Sequence, residues 1–318
     1  MDTNQAIDRK KIINKLSGIP LFFQPWWLDI VAEENPWEYL VTKDRSGMII
    51  GIMPLAIENK KVGKIARMTP LTPYLGPWIA PFSGKKKDQE ISYIQKTMAD
   101  LIGQMPPLLY YAHKFNPDLQ NWYAFYLKGF EQTTHYTYIL RNIKNEKQLW
   151  DNLKNTVRTD IRKAKEHYKI KCKSDPDKLF LLQQKTFHRQ NMKVPFARET
   201  MAKLTMASTA RKCAATLFVE NEKEEYVAGS FIVWDAYTAY LLMLGFDESK
   251  SGKGAVQLLL WKSIKEAAKH VDVFNFEGTM LEKVEPVFRR FGGEKTPYFK
   301  VWKDKNKLTK LIRIALGK

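Results

Sequence analysis

The stretch "GFDESKSGKGAVQLLLW", residues 245 to 261, sets Gly252, Lys253 and Gly254 directly before a helical apolar run that begins at Ala255. Unpaired backbone N–H groups and the positive end of the helix dipole favour an anion at such a place, so these four residues could cradle a phosphate or diphosphate. A tight turn carrying one charge uses the same residue types. A Walker loop is excluded: Gly245 stands seven residues before Gly252 rather than five, and Gly254 follows the lysine where Ser or Thr is required.

Other residues with chemical potential are scattered. Arg158, Arg162 and Lys163 lie on one face of "VRTDIRKAKEHYKI", where guanidinium groups suit phosphate geometry and a solvated helix face suits the same spacing. His188 and Arg189 in "KTFHRQNMKVPF" could reach a phosphate or an acceptor. In "TPLTPYLGPWIAPFSG", prolines stiffen a loop whose Tyr74, Trp78 and Phe82 either line a groove or pack over a sheet. The histidines at 113, 135, 167, 188 and 270 show no ligand spacing, Cys172 and Cys213 form no CxxC pair, and no metal site is expected. No Ser, Cys or Asp sits in a nucleophile motif, which leaves hydrolase chemistry without support.

The net charge of +18 is uneven: residues 1 to 140 carry +3 and residues 141 to 318 carry +15. A basic half attracts polyanions such as tRNA, anionic lipid or a nucleotide diphosphate, and it also serves solubility. Two cysteines in 318 residues, no apolar leader and no apolar window long enough for a bilayer lead to the expectation of a soluble cytoplasmic protein.

These residues must be positioned by an α/β framework. "YVAGSFIVWD" and "TAYLLMLGFD" read as a hairpin around Ala236 and Tyr237, followed by a helix in "GAVQLLLWKSIKEAAKH", a strand in "VDVFNFEG", a helix in "EKVEPVFRRFGG" and a strand in "TPYFKVWK". The first half repeats that order: a hairpin around Asn59 and Lys60, a helix from "KKDQEISY", a strand "PLLYYAHKF", a helix "PDLQNWYAFYLKGF" and a strand "TTHYTYIL". Between them, Leu149, Leu153, Val157, Ile161 and Ala164 predict one amphipathic helix.

The element order resembles the GNAT acyltransferase fold. Its doubling is similar to the Fem family, which moves amino acids from aminoacyl-tRNA onto peptidoglycan precursors. The stretches that carry the resemblance are "VRTDIRKAKEHYKI", "YVAGSFIVWDAYTAYLLMLGFD", "FNFEGTMLEKVEPVFRRFGG" and "PLFFQPWWLDIV". It implies two tandem GNAT-like units in a mixed sheet with flanking helices: an acceptor-side unit at 1–140, joined by 304–318, and a donor-side unit at 141–303. In GNAT enzymes the turn before the central helix reads Q/R-x-x-G-x-G/A and holds the pyrophosphate of coenzyme A. Gly252 and Gly254 supply the G-x-G, and Ser249 stands at the Gln/Arg position.

Acyl transfer to an amine requires a proton acceptor, a donor to the developing oxyanion and a proton for the leaving group. By that resemblance Glu277, at the end of an apolar strand and followed by glycine, is the expected base, with a pKa raised by burial; a salt bridge to Arg289 or Arg290 is its ordinary alternative. Tyr240 is the expected proton donor, although strand tyrosines also serve packing. The donor is acyl-coenzyme A or aminoacyl-tRNA, the acceptor a phosphate-bearing amine such as a cell-envelope precursor. The C-terminal "DKNKLTKLIRIALGK" places Leu308, Leu311, Ile312 and Ala315 on one face beside Lys307, Lys310 and Arg313, for docking on the first unit or for peripheral contact with an anionic membrane. A non-catalytic protein that binds RNA or membrane is the competing class.

Overall fold

The computed structural model of the chain describes residues 13, 16, 18–277, 280, 282, 284–307 and 309–311. The fold is mixed α/β, and the chain divides into two compact units, Met1–His135 with Pro297–Lys318, and Tyr136–Thr296.

In the first unit a single 3-10 turn, Leu21–Phe23, leads into α1 (Pro25–Val31). Strands β1 (Trp37–Lys43), β2 (Ile49–Lys60) and β3 (Gly63–Arg67) form an antiparallel meander. The second turn falls at Lys61 and Val62, two residues beyond the position read from the sequence, because Lys60 pairs with Gly63. The two-residue strand β4 (Trp78–Ile79) pairs with β2, and α2 (Lys87–Gly103) lies close over the same strand. A Cβ on Gly51 would meet Thr97 Cγ2 at 2.4 Å, so a side chain there would push the helix off the sheet. Next, β5 (Tyr110–Lys114) runs parallel to β3. The helix read over residues 117–130 shrinks to α3 (Tyr123–Leu127), since Asn116 and Asn121 take the amides of Asp118 and Tyr123 in local turns.

The second unit begins within β6 (Glu131–Arg141). The amphipathic helix read between the halves is two helices, α4 (Glu146–Asn152) and α5 (Asn155–His167). Leu153 and Lys154 are extended between them, which frees the Lys154 N–H to donate to the Arg290 carbonyl at 3.0 Å. Leu149, Leu153, Val157, Ile161 and Ala164 are nevertheless all buried. Then come β7 (Lys169–Cys172), α6 (Pro176–Arg189), α7 (Arg198–Ala210), β8 (Ala214–Glu220), β9 (Tyr226–Trp234), β10 (Thr238–Phe246), α8 (Ala255–Ala267), β11 (Val273–Asn275), α9 (Glu285–Arg289) and β12 (Glu294–Asp304). From Pro297 onward β12 belongs to the first unit, where it pairs antiparallel with β5.

The sheet of the second unit runs β6-β11-β10-β9-β8-β7, with β10 and β11 its parallel pair. Helices α5 and α8 bury Ile161, Ala164, Leu259 and Ile264 against Leu241, Phe274 and Phe276 on one face. Helix α6 covers the other. Gly229 and Gly245 face each other across β9 and β10, and a Cβ on Gly245 would lie 2.7 Å from the backbone of Leu182 and Gln183. The glycine pair therefore lets α6 rest directly on the sheet.

Leu308 and residues 312–318 lie outside the described residues, so most of the expected C-terminal apolar face does too. Of its remainder, Leu311 is exposed and Lys310 pairs with Glu131 at 2.8 Å. No described helix is long and apolar enough to cross a membrane.

Candidate active site

The second unit holds an opening between parallel strands. Thr238, Ala239 and Tyr240 of β10 pair with Val273, Phe274 and Asn275 of β11, and there the pairing ends while β10 continues to Phe246. A bulge at Leu242, between the partners of Ile232 and Phe231, breaks the β9 register just past that point. Two residues beyond Asn275, Glu277 is half-buried with φ +65°, in the left-handed region that non-glycine residues rarely occupy. Its N–H donates to Asn275 Oδ1 at 2.9 Å. A left-handed carboxylate residue where two strands part is a place to hold an acid or base.

The remaining edge of β10 is met by α6. Gln183, 3% exposed, has its carboxamide oxygen oriented to accept from the N–H groups of Leu244 (3.1 Å) and Gly245 (3.2 Å). Thr186 Oγ1 accepts from the Phe246 N–H at 2.9 Å and donates to the Phe246 carbonyl at 3.3 Å. Lys185 pairs with Asp247, and Arg189 lies 4.0 Å over the Phe246 ring and 3.6 Å from Glu248. Burial alone would raise the Asp247 carboxyl, but hydrogen bonds from Lys185 and Ser249 outweigh it and hold the group below its ordinary range. His188 is exposed beside Arg189 on the last turn of α6.

At the far end of β10 the chain turns into α8. Gly254 precedes the helix with φ +91°, and a Cβ on it would lie 2.5 Å from the Asp160 carbonyl oxygen and 3.1 Å from Ala164 Cβ. This glycine brings α8 against α5. The Gly252 N–H donates to Tyr168 Oη at 2.7 Å, and the exposed Lys253 ammonium is 3.5 Å from Asp160. Ala255 opens the helix with its N–H directed to the Gly252 carbonyl at 3.3 Å. The Gly252 amide that a coenzyme diphosphate would use is thus taken from within, and the space beside Gly254 is filled by α5. The turn does not fit that group.

The other expected residues are dispersed. Arg158 hydrogen-bonds Asn155, and Arg162 lies 5.5 Å from the Trp150 ring centre with Lys165 at 5.8 Å from the same ring. Lys163 is exposed. Partial burial, and then the charges of Lys265 and Lys165, lower the pKa of Lys262 nearby, so cations crowd this surface of α5 and α8. Tyr240 is buried as the last β10 residue paired with β11 before the opening, and its hydroxyl donates to Asp235 Oδ2 at 3.1 Å in the β9–β10 turn. In the first unit Tyr74 is buried against Tyr298, ring centres 5.5 Å apart, and Trp78 is half-buried in β4. Among the described residues no group of three or more His, Cys, Asp or Glu is placed to hold a metal ion.

Sequence reasoning passed over Gln183, Thr186, Asn275 and Thr137. A weak signal existed: Gln183 interrupts the apolar face set by Leu179 and Leu182, and Asn275 interrupts the apolar run "VFNF". A buried polar residue in such a run needs partners.

Residues 151–279 match the model of the acetyltransferase (GNAT) domain family. No curated protein matches the chain. Among solved structures, that of FemX superposes with a TM-score of 0.64 at 12% identity, over 94% of this chain and 96% of that one. The C-terminal domain of a putative lysylphosphatidylglycerol synthetase from Agrobacterium fabrum gives 0.52 at 10% identity, covering 87% of each chain. L-PGS from Bacillus licheniformis gives 0.50 at 12%, over 89% of this chain and 90% of that one. At such identities the likenesses establish the fold, and the family match places the GNAT domain over the opening beside Glu277. Residues 151–279 thus carry a GNAT acetyltransferase-family domain, in a chain whose fold is like that of FemX.

Proposed function

We propose that the second unit transfers an aminoacyl group from an ester donor, aminoacyl-tRNA, to the amine of a phosphate-bearing cell-envelope precursor. The observation that carries this reading is the opening of β10 from β11 at Tyr240 and Asn275, with Glu277 set in a left-handed turn at its base. The acceptor nitrogen attacks the donor carbonyl carbon and gives its proton to the Glu277 carboxylate. Negative charge gathers on the carbonyl oxygen, next to the backbone of the bulge residue Leu242, where a strand amide is the natural donor. Collapse breaks the ester C–O bond, and the departing hydroxyl oxygen takes up a proton from Glu277.

The choice of donor rests on the filled contacts. Tyr168 occupies the Gly252 amide, while Gln183 and Thr186 occupy the β10 amides of Leu244, Gly245 and Phe246. A coenzyme thioester would have to displace these. The crowded cations Arg162, Lys165, Lys262 and Lys265 suit the phosphates of an RNA instead. FemX and the lysylphosphatidylglycerol synthetase domain share the fold, which favours an aminoacyl group as cargo. His188 and Arg189, at the end of α6 beside the turn into α8, are placed for the acceptor's phosphates. Acyl-coenzyme A as donor is the second reading, favoured by the GNAT family match itself.

Ligand-induced thermal stabilisation tests the donor, because any ligand that favours the native state raises its melting temperature. Alanyl-tRNA, uncharged tRNA and a UDP-sugar peptide are expected to raise it; coenzyme A and acetyl-coenzyme A are expected not to. A shift with the coenzymes alone overturns the aminoacyl reading in favour of the second.

A further inference from the structure

Asn275 is 2% exposed, and its Oδ1 accepts two hydrogen bonds: from the hydroxyl of the fully buried Thr137 at 2.6 Å and from the Glu277 N–H at 2.9 Å. Bonding from an Asn side chain to the backbone two residues on is a common local device. Here the device is itself anchored. Thr137 sits on β6, which pairs with β11 through Ile139 opposite Asn275, so a second strand fixes the direction of the carboxamide.

The residue between them is held separately. The Phe276 N–H donates to the Tyr138 carbonyl at 3.0 Å, and its ring stacks on Phe288 with centres 4.8 Å apart. The chain therefore arrives at Glu277 from a fixed point in the core and changes hand there. A left-handed non-glycine residue persists where its surroundings over-determine it, and the bond to Asn275 acts directly on the Glu277 backbone.

We propose that Asn275, oriented by Thr137, is the positioning residue of the active site: it holds the Glu277 backbone left-handed and so aims the carboxylate at the opening where β10 leaves β11. This rests on the reading of Glu277 as the base. Asn275 acts through Glu277 rather than on the substrate. Misplacing a catalytic group by about 1 Å costs on the order of 100-fold in rate, which sets the scale of the expected effect.

The test combines initial rates with amide-hydrogen exchange at Glu277 and Phe276. Rates are measured with alanyl-tRNA or acetyl-coenzyme A as donor and a UDP-sugar peptide as acceptor. Asn275→Ala is expected to lower kcat by about 30- to 100-fold with KM unchanged, to speed exchange at Glu277 and to leave Phe276 unchanged. Thr137→Val is expected to act in the same direction, with Thr137→Ser restoring the rate, which covers the case in which Asn275→Ala folds poorly. Adding Asn275→Ala to Glu277→Gln is expected to cost nothing further. The inference is overturned if Glu277→Gln is inactive while Asn275→Ala keeps kcat within about twofold of wild type, a change too small for a displaced base. If wild type turns over none of these pairs, or Glu277→Gln keeps the full rate, the base reading fails and the inference fails with it.

Discussion

A Cβ placed on Gly254 would lie 2.5 Å from the carbonyl oxygen of Asp160. Helices α8 and α5 therefore touch backbone to backbone at the start of α8, and the second glycine of the G-x-G stretch is needed for that approach and for its φ of +91°. Gly254→Ala is expected to destabilise the protein by about 2–4 kcal/mol, from left-handed strain and overpacking together. Urea unfolding of the variant checks this. A loss below about 0.5 kcal/mol, the scatter of ordinary surface substitutions, would mean that the turn is loose.

Tyr168→Phe removes the acceptor of the Gly252 N–H and keeps the ring. The site is exposed and water replaces the hydroxyl, so the expected loss is at most about 1 kcal/mol. For a chain of this size that is a fall in melting temperature of roughly 2 °C or less. Coenzyme A is expected to leave the variant's melting temperature unchanged; a new shift would show that Tyr168 alone had masked a diphosphate site.

Glu277→Gln keeps the backbone N–H that Asn275 binds and removes the proton acceptor. Transfer is expected to fall by about 100- to 10,000-fold, the usual worth of a general base. Thermal unfolding of the same sample is expected to match wild type. Full activity with an unchanged melting temperature would remove Glu277 from the mechanism.

His113 is fully buried beside Tyr111, with ring centres 4.6 Å apart. Burial pushes its pKa down to about 3. The folded state keeps the ring neutral while the unfolded chain takes up a proton below about pH 6.5, so the stability from this group is complete above that pH and declines as pH falls toward 3. Between pH 6.5 and 5 the decline is about 2 kcal/mol. His135, lowered to about 4 by burial and by Lys114 and Lys300, adds a slope of the same sign. Urea unfolding at pH 7 and pH 5 should show a smaller difference for His113→Leu than for wild type. Equal differences would place the titration elsewhere.

Arg162, Lys262 and Lys265 form part of the crowded cationic surface. If that surface contacts RNA phosphates, the slope of log K against log salt should shrink by roughly 0.7–0.9 for each contact removed. Filter binding of tRNA to the triple alanine variant is expected to show a slope lower by about 2 than wild type. An unchanged slope would move the RNA contact off α5 and α8.

Much of the framework is legible because its signals are local. The apolar, β-branched and aromatic runs "YVAGSFIVWD" and "TAYLLMLGFD" become β9 and β10, and the three- and four-residue spacing after Gly254 becomes α8 with Leu259, Leu260 and Ile264 buried. The break at Leu153 and Lys154 was hidden, because the apolar period runs through it without interruption. The partner that stops the helix there is the Arg290 carbonyl, far along the chain.

Residue order alone determined the α/β units, the hairpins and the place of Glu277 at the end of an apolar strand, since helix and strand periods are written within a few residues. Tertiary structure decided what the chemical groups do. The amide of Gly252 meets a tyrosine 84 residues away, Thr186 meets Phe246 60 residues away, and Asn275 meets Thr137 138 residues away. Each of these is a hydrogen bond between groups far apart in the chain, and its existence depends on how the elements pack. A spacing can announce that amides and carboxylates are present, but only packing settles which are already satisfied and which face a substrate.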